Sequence, residues 1–279
     1  MKVYLNGQVV DAAEARVPVD DRGFLFADGV YEVVRLYGGK PFLMNEHMAR
    51  LRNGLGALQI DAELVAEIPG IAERLIAENG VDGDGTIYLQ VTRGVAPRTH
   101  AFPTSAVRPT LYLTAKPFKG YPAEYMERGV ACITVPDTRW TRCDIKSIAL
   151  LPNVLANQAA HAAGGFEALF VRDGVVAEGS HANLFAVLNG TLVTYPRSNY
   201  ILPGITRQLV LDMAAELGIP AEERPMFWDE FWRADELFLS GTTTEVMPIA
   251  TVDGRQVAGG ARGPLTERLQ EAYRSRAGI

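Results

Sequence analysis

The chain has five lysines, and four of them, Lys2, Lys40, Lys116 and Lys119, stand near turns or beside Pro and Gly. Lys146 differs. It lies in CDIKSIALLPN, between Ile145 and the run from Ile148 to Leu151, so a cationic side chain is embedded in a segment otherwise fit for burial. Desolvation lowers the pKa of an amine and leaves it nucleophilic, which is what Schiff-base chemistry requires. A strand lysine paired with a carboxylate such as Asp144 would have the same sequence appearance. Glu178, in VRDGVVAEGSHANLF, follows a hairpin turn and has Gly179 and Ser180 beside it. A carboxylate there either completes a turn or faces a cationic nitrogen.

Two further segments are rich in donors. LPGITRQLVLDMAAELG places Pro203-Gly204 directly before an apolar-periodic helix with Ile205 and Thr206 in its first turn, where free amides and the helix dipole suit a phosphate. Plain capping by Thr206 is the alternative. Ser240-Gly241-Thr242-Thr243-Thr244 follows the apolar strand ELFL and offers a second small anion-binding turn.

The elements that must carry these residues are those of an α+β chain with several antiparallel pairings. KVYL and QVVD flank the turn dipeptide Asn6-Gly7, and Asp173-Gly174 and Asn189-Gly190 separate EALFV, VVAEG, NLFAVL and LVTY in the same way. YEVVRLY at 31–37 is β-rich, and Gly38-Gly39 turns it toward PFLM. Met44, Met48, Leu51, Leu55 and Leu58 have helical spacing, which leaves Arg50 and Arg52 off the apolar stripe. Further helices are expected over 62–79, closed by Gly80, and over 153–163, 205–217 and 265–276. Strands over 86–92 and 110–115 bracket a loop, 93–109, long enough to be functional. The pattern changes at KPFKGY, so a smaller N-terminal α/β domain over 1–118 and a larger β-rich domain flanked by helices over 119–279 are expected.

A length of 279 residues accommodates two such domains, and 48% hydrophobic with 22% charged residues is the composition of a globular protein. With 27 Lys+Arg against 33 Asp+Glu and no basic run, nucleic acid and acidic membranes are disfavoured as partners. The start has no apolar core behind Lys2 and no later segment is an apolar span of membrane length, so a cytoplasmic protein is expected. Cys132 and Cys143 are too far apart for a CxxC pair and no His cluster accompanies them, so they read as buried thiols and no metal site is expected.

Taken together, DRGFLFADGVYEVVR, HMARL, DIKSIALLPNVLANQAA, EGSHANLF, LPGITRQLVL and LSGTTTEVMP, in that order, resemble the fold-type IV pyridoxal-phosphate enzymes. That group contains D-amino acid aminotransferases, branched-chain aminotransferases and aminodeoxychorismate lyases. The resemblance implies a two-domain fold with pyridoxal 5′-phosphate as cofactor. It makes Lys146 the Schiff-base lysine and Glu178 the partner of the pyridine nitrogen. Arg50, Ile205, Thr206 and Thr242 become phosphate ligands, and Leu202 packs beside the ring. The loop GVAPRTHAFP resembles the segment by which D-amino acid aminotransferases hold the substrate α-carboxylate. On that likeness Arg98 and His100 reach in from the neighbouring subunit of a homodimer and act with Tyr31. Solvent exposure is the ordinary alternative for both. His181 and Ala182 stand where small hydroxylic residues are common in the D-specific enzymes, and Gly241 replaces one hydroxyl on the phosphate side. The expected activity is transamination between a D-amino acid and a 2-oxo acid. The rivals within the fold are a branched-chain L-amino acid or chiral amine aminotransferase and the lyase, and a non-catalytic binding protein is the rival outside it.

Overall fold

A computed structural model describes all 279 residues, which fall into two compact units. One is Met1–Lys119 with Ile145–Leu150, the other Gly120–Asp144 with Leu151–Ile279. The first unit contains β1 (Lys2–Leu5), β2 (Gln8–Asp11), α1 (Arg22–Phe26), β3 (Gly29–Tyr37), β4 (Lys40–Pro41), α2 (Met44–Ala57), α3 (Ile68–Glu78), β5 (Gly85–Thr92) and β6 (Thr110–Pro117). Its six strands pair antiparallel in the order β2-β1-β6-β5-β3-β4.

Strand alternation divides the residues of this sheet between two environments. Ile87, Leu89 and Val91 of β5 are fully buried against α2, whose Met48, Leu51 and Leu55 form the expected stripe. Glu32 pairs across from Leu89 and so points to that same buried side, while Tyr31, Tyr88 and Tyr112 share the opposite face. The three rings form a row, with centroids 5.9 and 6.3 Å apart.

Two local expectations fail for backbone reasons. The single helix over 62–79 is a 3-10 turn, Glu63–Ala66, followed by α3. Pro69, at the start of α3, has no N–H to donate and its ring clashes with the preceding turn, so it opens a helix and cannot sit inside one. PFLM is not a strand beyond Pro41, because Leu43 turns left-handed at φ 56° to start α2.

The second unit contains α4 (Ala123–Arg128), β7 (Val130–Pro136), α5 (Leu151–Ala162), β8 (Glu167–Arg172), β9 (Val175–Gly179), β10 (Asn183–Leu188), β11 (Thr191–Thr194), α6 (Ile205–Glu216), β12 (Ala221–Glu223), β13 (Met226–Phe227), α7 (Trp228–Phe231), β14 (Glu236–Gly241), β15 (Glu245–Val252), β16 (Arg255–Gln256) and α8 (Pro264–Ala277). Hydrogen-bonded neighbours run β10-β14-β15-β7-β8-β9, and β9 pairs back onto β10 through Glu178 and Asn183, so six strands close on themselves. Val130, Leu169, Val176, Leu184, Leu239 and Met247 fill the interior. The Asp-Gly and Asn-Gly hairpins form with φ of 51° and 75°, and 50° and 78°, values the Gly positions take without cost. No helix is long and apolar enough to cross a membrane.

Candidate active site

In the first unit, Lys146 sits in an irregular segment and not in a strand. Its backbone carbonyl accepts from the Tyr31 N–H at 3.0 Å, and Ser147 bridges Val30. Burial alternates along the segment: Ile145 and Ser147 are buried, and Lys146 is partly exposed. Its ammonium lies 4.2 Å over the Tyr31 ring. The Asp144 carboxylate is gripped by Arg142 at 2.9 and 3.0 Å, so the ion pair that would have made Lys146 a structural lysine is absent.

Close to Lys146 is a buried group that the sequence reading missed. Glu32 accepts from Arg50 Nε at 2.7 Å and Nη2 at 2.8 Å, and lies 2.8 Å from His47 Nδ1. Burial works to raise the Glu32 carboxyl, but Arg50 and His47 prevail and hold it at about 2. Burial, with the positive charges of Arg50 and Lys146, pushes the His47 imidazole down against the pull of Glu32. The ionised carboxylate therefore takes the hydrogen of a neutral His47 Nδ1–H. The signal was in the sequence: an isolated Glu inside YEVVR, and His47 and Arg50 three apart on one helix face.

The loop after β5 carries Arg98 and His100, both exposed. Phe26 collects them, with the Arg98 guanidinium 5.2 Å above its ring and the His100 ring 5.5 Å away. Arg22 donates to the Thr99 carbonyl at 2.7 Å and to Asp28 at 2.8 Å, and Arg93 grips the same carboxylate at 2.7 and 3.0 Å. Burial tends to raise Asp28, yet the two guanidinium groups hold it below its ordinary value. The loop tip is thus anchored while its cationic side chains stay outside. No contact joins them to Tyr31 of the same chain.

In the second unit, Glu178 is a buried residue of β9 and not a turn residue. Arg139 Nη1 donates to its Oε1, Asn183 Nδ2 donates to its Oε2 at 2.9 Å, and the Leu202 N–H lies 3.2 Å from both oxygens. Asn183 also donates to the Leu202 carbonyl at 2.9 Å, which fixes Leu202 beside Glu178. Burial, the largest influence, pushes the Glu178 carboxyl up to about 7, against Arg139 and the Leu202 amide and with help from Asp137.

A folded-state value raised above the ordinary 4.5 of a glutamate means stability that is complete below pH 4.5 and lost as pH rises toward 7. In the cofactor-free protein, ionised Glu178 is therefore expected to cost roughly 3 kcal/mol by pH 8. Glu178→Gln keeps an acceptor for Leu202 and should flatten the decline between pH 4.5 and 8. Denaturant unfolding of both proteins across that range checks this; parallel curves would remove Glu178 from the role.

α6 starts at Ile205 after Gly204, with no side-chain cap, and Thr206 is buried in its first turn. A Cβ on Gly204 would lie 2.0 Å from Asn183 Oδ1, so only glycine lets the chain approach here. In the β14–β15 turn Thr242 is half-buried, and the buried hydroxyls of Ser240 and Thr244 have no hydrogen-bond partner. Open amides and orphaned hydroxyls are the donor set a phosphate needs, so these residues fit a phosphorylated cofactor. A Cβ at Gly241 would lie 3.3 Å from Thr244 Oγ1, tighter than an ordinary contact. His181 Nδ1 is 2.6 Å from Glu167, a fully buried carboxylate that also accepts from the Ser180 amide and hydroxyl. His181 is thus tied into the body of the unit.

The family model described as Amino-transferase class IV matches residues 29–252, which span both units and every residue above except Arg22, Phe26 and Asp28. The chain belongs to the class IV aminotransferases. This class IV aminotransferase is 41% identical to a D-alanine aminotransferase of Staphylococcus haemolyticus over 98% of its own length and 96% of the relative's. It is also 41% identical to one of Bacillus licheniformis, over 99% and 96%. Its α+β fold is that of fold-type IV. It superposes on the branched-chain amino acid aminotransferase of Escherichia coli with a TM-score of 0.90 at 29% identity, covering 98% of this chain and 93% of that one. For the 4-amino-4-deoxychorismate lyase of Pseudomonas aeruginosa the TM-score is 0.86 at 29% identity, covering 98% of both. The fold is thus shared among different reactions and does not choose between them.

Proposed function

We propose that this class IV aminotransferase moves an amino group between a D-amino acid, of the D-alanine or D-glutamate type, and a 2-oxo acid such as 2-oxoglutarate or pyruvate, with pyridoxal 5′-phosphate as cofactor. The observation that carries the reading is Lys146: a partly buried amine without a carboxylate partner, set over Tyr31, in a chain that matches D-alanine aminotransferases along nearly its whole length. When bound, the cofactor supplies the electron sink that makes the substrate Cα–H acidic.

The protein's own residues do the rest. The Lys146 amine would be the group that holds the cofactor and, when free, would be the base that takes the proton from the substrate Cα and the acid that gives it back to complete the transfer. Arg50, fixed by Glu32, would hold the phosphate, as would the Ile205 amide, Thr206 and Thr242. Glu178 would face the ring nitrogen as an anion, and Leu202 would pack against the ring. Tyr31 supports the substrate carboxylate beside Lys146.

The working unit in this reading is a homodimer in the cytoplasm, a compartment that suits its two unpaired, buried cysteines. Leu151, Val154 and Leu155 put an apolar stripe on the outer face of α5 at 58–68% exposure, a surface fit for a second copy. Arg98 and His100 then serve the partner's substrate. Incubation of the protein with D-alanine and 2-oxoglutarate should yield pyruvate, with far less from L-alanine or branched-chain L-amino acids. An L-preference, or pyruvate released only from aminodeoxychorismate, would overturn the reading.

Arg98→Met should raise the Michaelis constants for D-alanine and 2-oxoglutarate together, since both present an α-carboxylate. Loss of a bidentate charged contact is expected to cost about 2–4 kcal/mol in kcat/KM, less what His100 and Tyr31 retain. Cofactor absorbance should survive, and discrimination between D- and L-alanine should shrink. Steady-state kinetics with both enantiomers reads all three; unaltered constants would take Arg98 out of the site.

A further inference from the structure

Behind Glu178 lies a second layer of charge. Asp137, fully buried, accepts from Arg139 Nε at 2.9 Å and Nη2 at 2.9 Å, and from Arg172 Nε at 3.1 Å. Arg139 is itself almost wholly buried, its guanidinium 4.1 Å from the centre of the Phe170 ring and its Nη2 3.3 Å from the Tyr200 carbonyl. Two guanidinium groups and two carboxylates thus form a chain, Arg172–Asp137–Arg139–Glu178, whose charges sum to zero. The other titratable groups that act on this chain are the Cys143 thiol, pushed up to about 11 by burial, and Tyr195, raised by burial with Tyr200 beside it. Both are neutral at physiological pH, so Arg139 is the only cation in contact with Glu178.

We propose that Arg139 is a positioning residue that fixes the proton of the cofactor's ring nitrogen: by pairing with Glu178 from behind, it keeps that carboxylate ionised and so leaves the proton on nitrogen. The inference rests on the assignment of Glu178 to the ring nitrogen. In a buried site a carboxylate facing a pyridine has two arrangements with equal proton count, the ionic pair and the neutral pair in which the carboxyl holds the hydrogen. Burial favours the neutral one, as it does for Glu178 itself, pushed up to about 7 even with Arg139 present. A guanidinium touching the carboxylate attracts it more strongly than it repels the more distant ring, and the balance tips to the ionic pair. Asp137 in turn holds Arg139 through two donors, which fixes the direction in which its third points.

The test loads wild type and Arg139→Gln with ring-15N pyridoxal 5′-phosphate and reads the nitrogen chemical shift between pH 6 and 9. Asp137 keeps Arg172 in the variant, and the charge-balanced double variant Arg139→Gln with Asp137→Asn serves if the single one does not fold. The wild-type shift should be that of a protonated ring throughout. In the variant it should move toward the unprotonated value, with kcat falling at least tenfold and the Michaelis constants nearly unchanged. Arg139→Lys should restore much of the protonated signal. A variant nitrogen that stays fully protonated would overturn the proposal. A wild type that takes up no labelled cofactor would instead overturn the assignment on which it rests.

Discussion

Lys146→Ala is expected to abolish turnover and the long-wavelength absorbance of covalently held cofactor, while leaving the melting temperature almost unchanged. No other lysine has a comparable setting, so neither attachment nor proton transfer can be rescued from within the chain. The proton transfer alone is worth roughly 10²–10⁴-fold, and loss of the covalent step adds to it. The stability side follows from the geometry: Lys146 makes no ion pair, and its loss removes one cation–π contact with Tyr31, worth about 0.5–1 kcal/mol. Its backbone, which bonds the Tyr31 amide, is untouched by the substitution. Absorbance, kinetics and thermal unfolding of the one variant separate the two effects. Normal colour with normal turnover would refute the assignment.

Glu178→Lys is expected to damage both function and fold. The ring nitrogen would meet a cation where it needs an anion, a change of several kcal/mol in a site from which water is excluded. At the same time Arg139, Asn183 and the Leu202 amide would lose their common acceptor, and two cations would face each other inside the closed strands. Stranding a buried partner in this way costs about 3–5 kcal/mol. Glu178→Asp should keep part of the turnover, since the charge remains but is withdrawn by one methylene. Glu178→Gln should be stable and slow, and so distinguishes loss of charge from loss of fold. Kinetics and unfolding of the three variants decide the matter; a Lys variant with wild-type kinetics would place Glu178 outside the chemistry.

The scaffold was largely legible because it is built from local signals. Asn6-Gly7, Asp173-Gly174 and Asn189-Gly190 fold as hairpins, and the stripe Met48, Leu51, Leu55 is buried where its spacing put it. The α3 start was misjudged because Pro69 outweighs an apolar pattern that runs on through it. The chemical residues were legible by type and their partners were not. Glu32 finds His47 and Arg50 across 15 and 18 residues, and Glu178 finds Arg139 across 39, distances over which no periodicity operates. PDTRWTRCD offers nothing to distinguish Arg139 from Arg142, yet one is buried on Glu178 and the other pairs with Asp144 at the surface. Topology alone makes that choice.

The six residues Ile145–Leu150 belong to the first unit although twenty-five residues, Gly120–Asp144, separate them from the rest of it. Chain growth on the ribosome is vectorial, so the edge of β3 near Val30 and Tyr31 waits for its last bonds until synthesis has passed into the second unit and returned. A fragment ending at Lys119 would hold the apolar sheet and α2 but leave the Tyr31 amide unmet and Lys146 missing. The N-terminal unit is therefore not a module that can be cut out, transplanted or expressed alone with its chemistry intact, and no single breakpoint frees either unit: a cut after Lys119 loses Lys146, and a cut after Leu150 takes β7 and Arg139 away from β8, β15 and Glu178.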